Sequence, residues 1–487
     1  DEPAYTQPVM ARTIKQHEPV SKIYAEKLIS EGALTRHRLQ EVVSHTEQRL
    51  AEARTRVKKA VADGTYEQPE DPVYEPVPPD RGAIRTAVDA ETLNRLNEEL
   101  LTVPEGFEIH PKLGPQLERR REAMEDPEPA IVWAHAEALA FASLLTEGVP
   151  IRMTGQDVQR GTFSQRHMVL HDMADDETWR SGAGPSHTPM AELSDATAGI
   201  EIYNSPLSEA AAVGFEYGYS AEAPEALVLW EAQYGDFANG AQALIDQFVT
   251  SGQVKWGQRS RLTMLLPHGY EGNGPEHSSA RIERFLQAAG EDNIRVAYPS
   301  TAGNYFHLLR QQALTAAMRP LIVFTPKSLL RQRSAASTLS ELTEGSFSAV
   351  FADPHAAGRE DEITRLILGS GKICHDIGNH EARQDMDQVA VGRLEMLYPF
   401  PEESVRVLVA AYPNLREVVW AQEEPRNMGA WSFVARRINL QLPDGLALQY
   451  AGRPRRASTS EGYAQAHHVE QERVIHSALG IDPPEPA

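Results

Sequence analysis

From about residue 129 onward, short strand-like runs alternate with helical segments, and this alternation restricts the possible folds more than any other feature. Such an order is typical of parallel α/β sheets, because each parallel strand needs a crossover, usually a helix, before the next. The strands predicted in the first set are Ile151–Met153, Ile200–Tyr203, Ala226–Glu231, Leu262–Leu266, Ile294–Ala297 and Pro320–Phe324. The helices predicted with them are Trp133–Leu145, Glu209–Tyr217, Asn239–Ser251, Ser279–Ala289 and Tyr305–Met318.

A second set of strand-like runs begins near residue 346. Its predicted strands are Ala349–Phe351, Arg365–Leu368, Val389–Arg393, Glu417–Trp420 and Ala447–Tyr450. A chain of 487 residues has room for about three domains of ~150 residues each. We therefore predict two parallel-sheet α/β domains, at residues 116–335 and 336–487, that join near residues 330–346.

The first 115 residues have a different pattern. Apolar residues at helical spacing, followed by a stretch rich in Glu, Arg, Ala and Gln, predict helix over residues 20–62. The segment Glu67–Arg81 contains five prolines, which predicts an extended strap rather than a regular element. Another helix is predicted at Glu91–Leu101. Residues 1–115 are thus predicted to be connecting helices and a proline-rich linker.

The charge balance excludes some partners. The chain has 47 basic and 69 acidic residues, a net charge of −22, whereas binding to nucleic acid or to an anionic membrane surface needs a basic patch. Cys374 is the single cysteine, so no disulfide within the chain is possible, and this fits a reducing cytoplasm. The chain opens with Asp1 rather than Met, from which we expect a fragment or a cut product.

Four loops that follow predicted strands are rich in glycine, aromatic and ionisable residues. They are Thr154–His167, Asn204–Glu209, Glu231–Phe237 and Pro267–His277. In open α/β sheets, ligands bind beyond the carboxyl ends of the strands, where such loops lie together. The sequence therefore predicts a ligand pocket at this edge of the first sheet.

Several long motifs resemble the thiamine-diphosphate-dependent 2-oxoglutarate dehydrogenases, the decarboxylating first component of that complex. They are DEPAYTQP, GQDVQRGTFSQRH, YNSPLSEAA, WEAQYGDFANGAQ, LLPHGYEGNGPEHSSAR, FTPKSLLR and WAQEEPRNMGAW. Transketolase and pyruvate dehydrogenase share the architecture but not HGYEGNGPEHSSAR. Among the members of the family, the sequence most resembles the actinobacterial multifunctional enzymes, in which this region is fused to an acyltransferase-like segment.

The resemblance implies two transketolase-like domains, one binding the aminopyrimidine of the cofactor (residues 116–335) and one carboxy-terminal (336–487). In this family, a Gly-Asp-Gly…Asn motif holds the diphosphate and Mg²⁺, and this sequence lacks it. The resemblance thus implies that the diphosphate-binding portion is missing, that residues 1–115 are its tail, and that no metal ligand lies in this chain. It also implies a homodimer, because family sites lie between subunits.

Glu209 matches the family glutamate that bonds the aminopyrimidine ring and promotes loss of the proton from the thiazolium carbon. A carboxyl suits this role if burial raises its pKa; the other interpretation is a glutamate that interacts with a helix dipole. Leu207, Gln233 and Phe237 are implied cofactor contacts, with Phe237 as the stacking residue. Tyr234 is the alternative to Phe237, and an ordinary aromatic core is the alternative to both.

His277 matches a family histidine beside the reacting centre, and Ser278-Ser279 after it predict a helix start that could meet an anion. His268 is a weaker candidate for the substrate or for a mobile loop. Arg160, Arg166 and His167 are weaker still, and each could equally brace a subunit interface. For either histidine, the other interpretation is a structural side chain bonded to backbone.

Strand-end loops of the carboxy-terminal domain collect groups that can bind anions, and related enzymes bind a nucleotide or acyl-CoA effector in this domain. The predicted effector residues are Thr315, Arg331, Lys372, Gln422 and Arg426. The other interpretation is a salt-bridged surface or a subunit contact.

The implied activity is thiamine-diphosphate-dependent decarboxylation of 2-oxoglutarate. The product carbanion would pass to the lipoyl group of an acyltransferase, leave as succinic semialdehyde, or be ligated to another carbonyl compound. The alternatives are a transketolase, another 2-oxoacid dehydrogenase, or a non-catalytic fragment that serves as a subunit interface.

Overall fold

The computed structural model of the chain describes residues 3–66, 84–173 and 186–482. They belong to two compact units, the first with residues 3–66 and the second with residues 84–173 and 186–482. The predicted proline-rich strap Glu67–Arg81 lies outside the described residues. Within those ranges, no helix has both the length and the apolar content needed to cross a membrane.

The first unit is helical. Its elements are a 3-10 turn at Pro3–Tyr5 and the helices α1 (Pro8–Gln16), α2 (Val20–Ser30) and α3 (Arg36–Ala62). The prediction of one helix over residues 20–62 was wrong at residues 31–35, because Gly32 takes a left-handed φ of +74° and ends α2. Thr35 then caps α3, with its hydroxyl accepting a hydrogen bond from the Arg38 N–H at 3.2 Å.

The second unit contains all the strands of the described chain. Its helices are α4 (Ala90–Leu101), α5 (Gly114–Glu122), α6 (Trp133–Thr146), α7 (Glu209–Glu222), α8 (Gly252–Trp256), α9 (Ile282–Ala288), α10 (Ala302–Leu314), α11 (Leu339–Thr343), α12 (Lys372–Asn379), α13 (Glu402–Ala410), α14 (Trp431–Asn439) and α15 (Ala464–Leu479). Its strands are β1 (Ile151–Gly155), β2 (Leu170–His171), β3 (Ser186–His187), β4 (Ile200–Asn204), β5 (Leu227–Glu231), β6 (Thr263–Pro267), β7 (Arg295–Ala297), β8 (Leu321–Thr325), β9 (Val350–Phe351), β10 (Arg365–Gly369), β11 (Val389–Leu394), β12 (Met396–Tyr398), β13 (Glu417–Pro425) and β14 (Leu448–Arg453).

Two parallel sheets confirm the predicted fold class. The first has the strand order β12-β7-β8-β6-β5-β1-β4, and only its edge strand β12 is antiparallel to its neighbour. The second has the order β14-β13-β10-β11-β9, again with one antiparallel edge strand, β9. β2 and β3 form a separate antiparallel pair.

Strand β12 was not predicted, and it links the two halves of the second unit. It follows the second-sheet strand β11, yet it pairs with β7 of the first sheet, placing Met396 opposite Ala297. A three-residue strand whose partner lies about a hundred residues away along the chain leaves no local signal in the sequence.

Alternate residues of the central strands fill two cores. In β5, Leu227 and Leu229 point to the core under α6 and α10, whereas Val228 and Trp230 point to the opposite core. That second core continues without interruption to Trp420 of the second sheet. The continuous core holds both sheets in one compact unit.

Three predicted helices differ from those observed. The residues predicted as Asn239–Ser251 form a 3-10 turn, one α-turn and a π-turn over Gly235–Val249, and the Thr250 N–H bonds the Ile245 carbonyl five residues back. The helix predicted at Ser279 starts only at Ile282, because Arg281 before it is left-handed at φ +59°. The helix predicted at Tyr305–Met318 is α10, which starts earlier because the Thr301 hydroxyl caps it and ends earlier because the Thr315 backbone is extended.

A buried polar cluster lies where the two sheets meet. Glu395 is fully buried and accepts hydrogen bonds from the Ser300 N–H (2.6 Å) and from Asn304 Nδ2 (3.1 Å). On α12, His375 Nε2 lies 2.9 Å from the Ser300 carbonyl oxygen. Burial, together with repulsion from Arg393, lowers the pKa of His375 to about 4.

This shift predicts acid sensitivity. The imidazole of an unfolded chain has a pKa of ~6.5. Between that pH and about 4, the unfolded chain therefore binds a proton that the folded chain does not. The free energy of unfolding consequently falls as the pH falls. We expect His375→Gln to make this fall shallower by about 1.4 kcal/mol per pH unit. Urea unfolding across this pH range measures it, with the exposed His355→Gln as control. An unchanged slope in His375→Gln would contradict the interpretation.

Candidate active site

The strand order places the four predicted loops side by side. Strands β4, β1, β5 and β6 are neighbours in that order, and the loop after each leaves from the same edge of the sheet. A cavity of about 560 Å³ opens there, and we call it the Glu209 pocket. Its lining residues are Leu207, Glu209, Asp236, Phe237, Asn239, Gly240, Pro275, Glu276, Arg281, Ser458 and Thr459.

Glu209 is the first residue of α7, and its carboxylate lines the pocket. Gln156 Nε2 donates to Oε1 at 3.3 Å, and the helix is capped by Ser208 rather than by Glu209 itself. A side chain at Gly240 would place its Cβ 3.1 Å from Glu209 Oε2, so glycine there leaves room for the carboxylate. The expected apolar setting is incomplete, because Glu209 is half-buried and Leu207 is 81% exposed at the pocket rim.

An aromatic cluster forms one wall of the site. The His277 ring packs edge-on against Tyr234, with ring centroids 4.5 Å apart, and against Phe237 at 5.8 Å. Phe163, from the loop after β1, also packs edge-on against Tyr234, with ring centroids 5.5 Å apart. Of the two stacking candidates, Phe237 lines the Glu209 pocket, and Tyr234 lies behind it. Gln233 lines a small adjoining cavity that also reaches Glu209.

His277 does not begin a helix. It ends a 3-10 turn, Pro275–His277, and α9 starts only at Ile282, so the expected anion site at a helix start after Ser278-Ser279 is wrong. The backbone around it is held instead by Lys327, whose Nζ donates to the His277 carbonyl at 2.7 Å. Burial lowers the pKa of Lys327.

His268 is buried and is not among the residues that line the Glu209 pocket. Its Nδ1 accepts a hydrogen bond from the Ala280 N–H at 3.0 Å, so Nε2 carries the ring proton and donates to Glu424 at 2.8 Å. Both ring nitrogens are therefore used. The arrangement matches the structural interpretation, in which His268 ties the loop after β6 to the second sheet through Glu424 of β13.

Asp236 is a pocket residue that sequence reasoning missed. It is 7% exposed, its Oδ1 accepts from the Ser279 N–H at 3.3 Å, and its Oδ2 has no hydrogen-bond partner within the described chain. Burial raises the pKa of this carboxyl. The only signal for it was its place, two residues beyond Tyr234 at a strand end.

Two more pocket residues come from a distant part of the chain. Ser458 and Thr459 lie after β14, and the Thr459 hydroxyl donates to the Pro275 carbonyl at 2.7 Å. Since nothing near these residues in the sequence marks a site, only the tertiary structure could find them.

The weaker candidates lie in the loop after β1, outside the Glu209 pocket. Arg160 is exposed and ion-paired with Asp157, and both line a neighbouring cavity with His167. Burial lowers the pKa of His167, whose Nε2 lies 3.0 Å from the Ser164 carbonyl. Arg166 is buried in an ion triad and braces the loop internally.

The five predicted effector residues do not converge. Thr315 precedes β8 and Arg331 follows it, so they lie at opposite ends of the first sheet. Lys372 is ion-paired with Asp376 and with Glu423, the latter at 3.0 Å. The predicted set also included Gln422, which is buried and donates to the Met428 carbonyl, and Arg426, which lies over Trp431 and Tyr450. No contact within the described chain joins these five residues, and a nucleotide or acyl-CoA effector bound by them stays a prediction.

Comparison with known families agrees with this architecture. The family described as "Transketolase, pyrimidine binding domain" matches residues 129–333, the first sheet with the Glu209 pocket loops. The family described as "2-oxoglutarate dehydrogenase C-terminal" matches residues 336–479. Residues 129–333 therefore match a transketolase-type pyrimidine-binding domain, and residues 336–479 match the C-terminal domain of 2-oxoglutarate dehydrogenase.

Proteins of similar sequence indicate a more specific relationship. The 2-oxoglutarate dehydrogenase E1 component of Geobacillus kaustophilus is 47% identical over 484 residues, 98% of this chain and 50% of the relative. Those of Bacillus subtilis (46% over 486 residues) and Bacillus pumilus (45% over 484 residues) are covered to the same extents. The chain is therefore similar to 2-oxoglutarate dehydrogenase E1 components over nearly its whole length, as the motifs indicated, and it spans about half the length of these relatives.

Proposed function

We propose that this chain supplies the aminopyrimidine half of the cofactor site in a thiamine-diphosphate-dependent decarboxylase of 2-oxoglutarate. The observation that carries the proposal is the Glu209 carboxylate beside the Phe237 ring in one pocket, on loops that match the pyrimidine-binding domain. The names of the relatives favour 2-oxoglutarate over the substrates of transketolase or of other 2-oxoacid dehydrogenases.

The residues present fit a flat, polar heterocycle. Gly240 leaves room beside the Glu209 carboxylate, and Asp236, whose Oδ2 has no hydrogen-bond partner among the described residues, also lines the pocket. Phe237 offers an aromatic face to such a ring. When bound, thiamine diphosphate supplies the electron sink for decarboxylation.

Each residue then has a defined role. Glu209 Oε2 would share a proton with a ring nitrogen, while Gln156 holds Oε1 in place. Phe237 and the exposed Leu207 would contact the ring, and Gln233 lines an adjoining cavity that Glu209 also lines. His277, held by Tyr234 and by Lys327, is placed to assist at the reacting centre.

A second subunit is part of the proposal. Strand β4 is a sheet edge, and the large apolar side chains of Tyr203, Leu207 and Phe215 beside it are 49%, 81% and 60% exposed. Exposed apolar patches of this kind mark interfaces. We propose a homodimer, with the diphosphate and Mg²⁺ held by a portion of the protein outside these 487 residues, to which residues 1–115 connect.

The fate of the product is proposed from the family. Transfer to the lipoyl group of an acyltransferase is the leading route, and aldehyde release and ligation to a second carbonyl compound are the alternatives. Residues 116–335 would bind the pyrimidine and residues 336–487 would form the carboxy-terminal domain. The single cysteine fits a cytoplasmic location.

Release of labelled CO₂ tests the proposed function. We expect the full-length enzyme, with thiamine diphosphate and Mg²⁺, to release it from [1-¹⁴C]2-oxoglutarate and not from [1-¹⁴C]pyruvate. A ketose-phosphate donor with an aldose-phosphate acceptor serves as the transketolase control. Turnover of the sugar phosphates without CO₂ release from 2-oxoglutarate would contradict the proposal.

A further inference from the structure

A second cavity, of about 350 Å³, lies apart from the Glu209 pocket. It is formed by α5, the start of α6, the loop after β1 and the segment after β8. Its charged lining residues are Arg119, Arg120 and Arg331, and no carboxylate lines it. A volume of this size is at the lower end of the range for small-molecule pockets.

Two of the three guanidinium groups are fixed by the same loop. Arg120 Nη2 donates to the Arg166 carbonyl at 3.0 Å, and Arg331 Nη2 donates to the Phe163 and Ser164 carbonyls at 2.6 and 2.8 Å. These bonds orient both groups, and within the described ranges the Nε and Nη1 atoms of each have no hydrogen-bond partner.

Glu137, the carboxylate that attracts Arg120, does not neutralise the positive charge of the cavity. Its oxygens are bound to Arg166 at 2.6 and 3.2 Å and to the Tyr305 hydroxyl at 2.8 Å. Arg119 is exposed at the cavity mouth and has no ion-pair partner among the described residues.

The floor of the cavity is the start of α6, a helix of fourteen residues whose first turn carries the positive end of the helix dipole. His135, in that turn, is 1% exposed. Its Nε2 donates to Asn97 Oδ1 at 2.8 Å. Asn97 Nδ2 donates to the Arg120 carbonyl, so the Asn97 amide is oriented with Oδ1 as the acceptor for His135. Nδ1 of the ring is buried with no partner in the described chain, and His135 is one of the residues that line the cavity, so the ring has one unused acceptor at this wall.

We propose that this cavity binds a small phosphate monoester that also carries a hydroxyl group. Guanidinium groups from three positions on two separate segments surround a tetrahedral dianion better than a planar carboxylate. The ligand hydroxyl would donate to His135 Nδ1. Neither part of this inference uses the Glu209 pocket, so it does not depend on the proposed catalytic function.

Isothermal titration of the purified protein at fixed ionic strength tests the site, with glycerol 3-phosphate as the probe. We expect saturable binding that weakens by about tenfold or more in Arg119→Glu, a change that breaks no internal bond of the described chain. The matched control is Arg333→Glu, an exposed arginine outside the cavity, which should bind as the unmodified protein does.

Two further binding measurements test which groups of the ligand the cavity recognises. His135→Phe should weaken binding of glycerol 3-phosphate while leaving that of inorganic phosphate unchanged, and glycerate should bind more weakly than glycerol 3-phosphate. Absence of glycerol 3-phosphate binding, or equal affinity in Arg119→Glu and the unmodified protein, would overturn the site. Equal losses for both phosphate probes in His135→Phe would overturn the hydroxyl assignment.

Discussion

Replacing Glu209 with glutamine is expected to slow proton exchange at the reactive thiazolium carbon of bound thiamine diphosphate by about 10²- to 10⁴-fold. The amide keeps the shape and the Gln156 contact of the carboxylate, but it cannot share a proton with the ring nitrogen. Quenched-flow deuterium exchange, followed by NMR of the released cofactor, measures this step apart from substrate binding. Cofactor affinity, from titration, should change far less than the exchange rate.

The control for this variant is Glu222→Gln, at the exposed far end of the same helix. It removes one negative charge from α7 without touching the Glu209 pocket, and exchange should proceed at the unmodified rate. Exchange in Glu209→Gln as fast as in Glu222→Gln would remove Glu209 from the proposed role.

Replacing Arg166 with methionine is expected to lower the free energy of unfolding of the second unit by about 3–5 kcal/mol. Arg166 is 2% exposed and makes paired hydrogen bonds to Glu137 (2.6 and 3.2 Å) and to Glu231 (2.7 and 2.6 Å). Without the guanidinium, two buried carboxylates face each other unpaired. Urea and thermal unfolding followed by circular dichroism measure the loss.

Arg160→Met is the matched control, because Arg160 belongs to the same loop but pairs with Asp157 in solvent. Exposed ion pairs contribute about 0–1 kcal/mol, so its unfolding should shift little. Equal stability of the Arg166 and Arg160 variants would show that the triad does not hold the loop after β1 against the sheet.

The parts of the fold that sequence could predict are those with local causes. Each first-sheet strand except β12 has its own apolar run, and the four site loops follow strands that the topology places next to one another. Strand β12, with Met396 opposite Ala297, depends on pairing between residues far apart in the chain, so no local sequence pattern predicted it.

The residues of the candidate site also fall into two groups, those with a local sequence signal and those without one. Glu209, Phe237 and His277 lie where motifs pointed, at strand ends that share one edge of the sheet. Asp236 was overlooked because the feature that distinguishes it is a carboxylate oxygen with no hydrogen-bond partner in the described chain. Only the tertiary structure shows this. Thr315 and Arg331 were grouped in one predicted site although one precedes β8 and the other follows it, because spacing along the sequence does not tell which end of a strand a residue occupies.

The most direct test of the central claim is a crystal structure of the full-length enzyme with thiamine diphosphate bound. The proposed function predicts the Glu209 carboxylate at about 2.6–3.2 Å from a ring nitrogen of the aminopyrimidine, with the Phe237 face against that ring. An aminopyrimidine bound elsewhere, or one whose ring nitrogens meet no atom of Glu209, would contradict the claim.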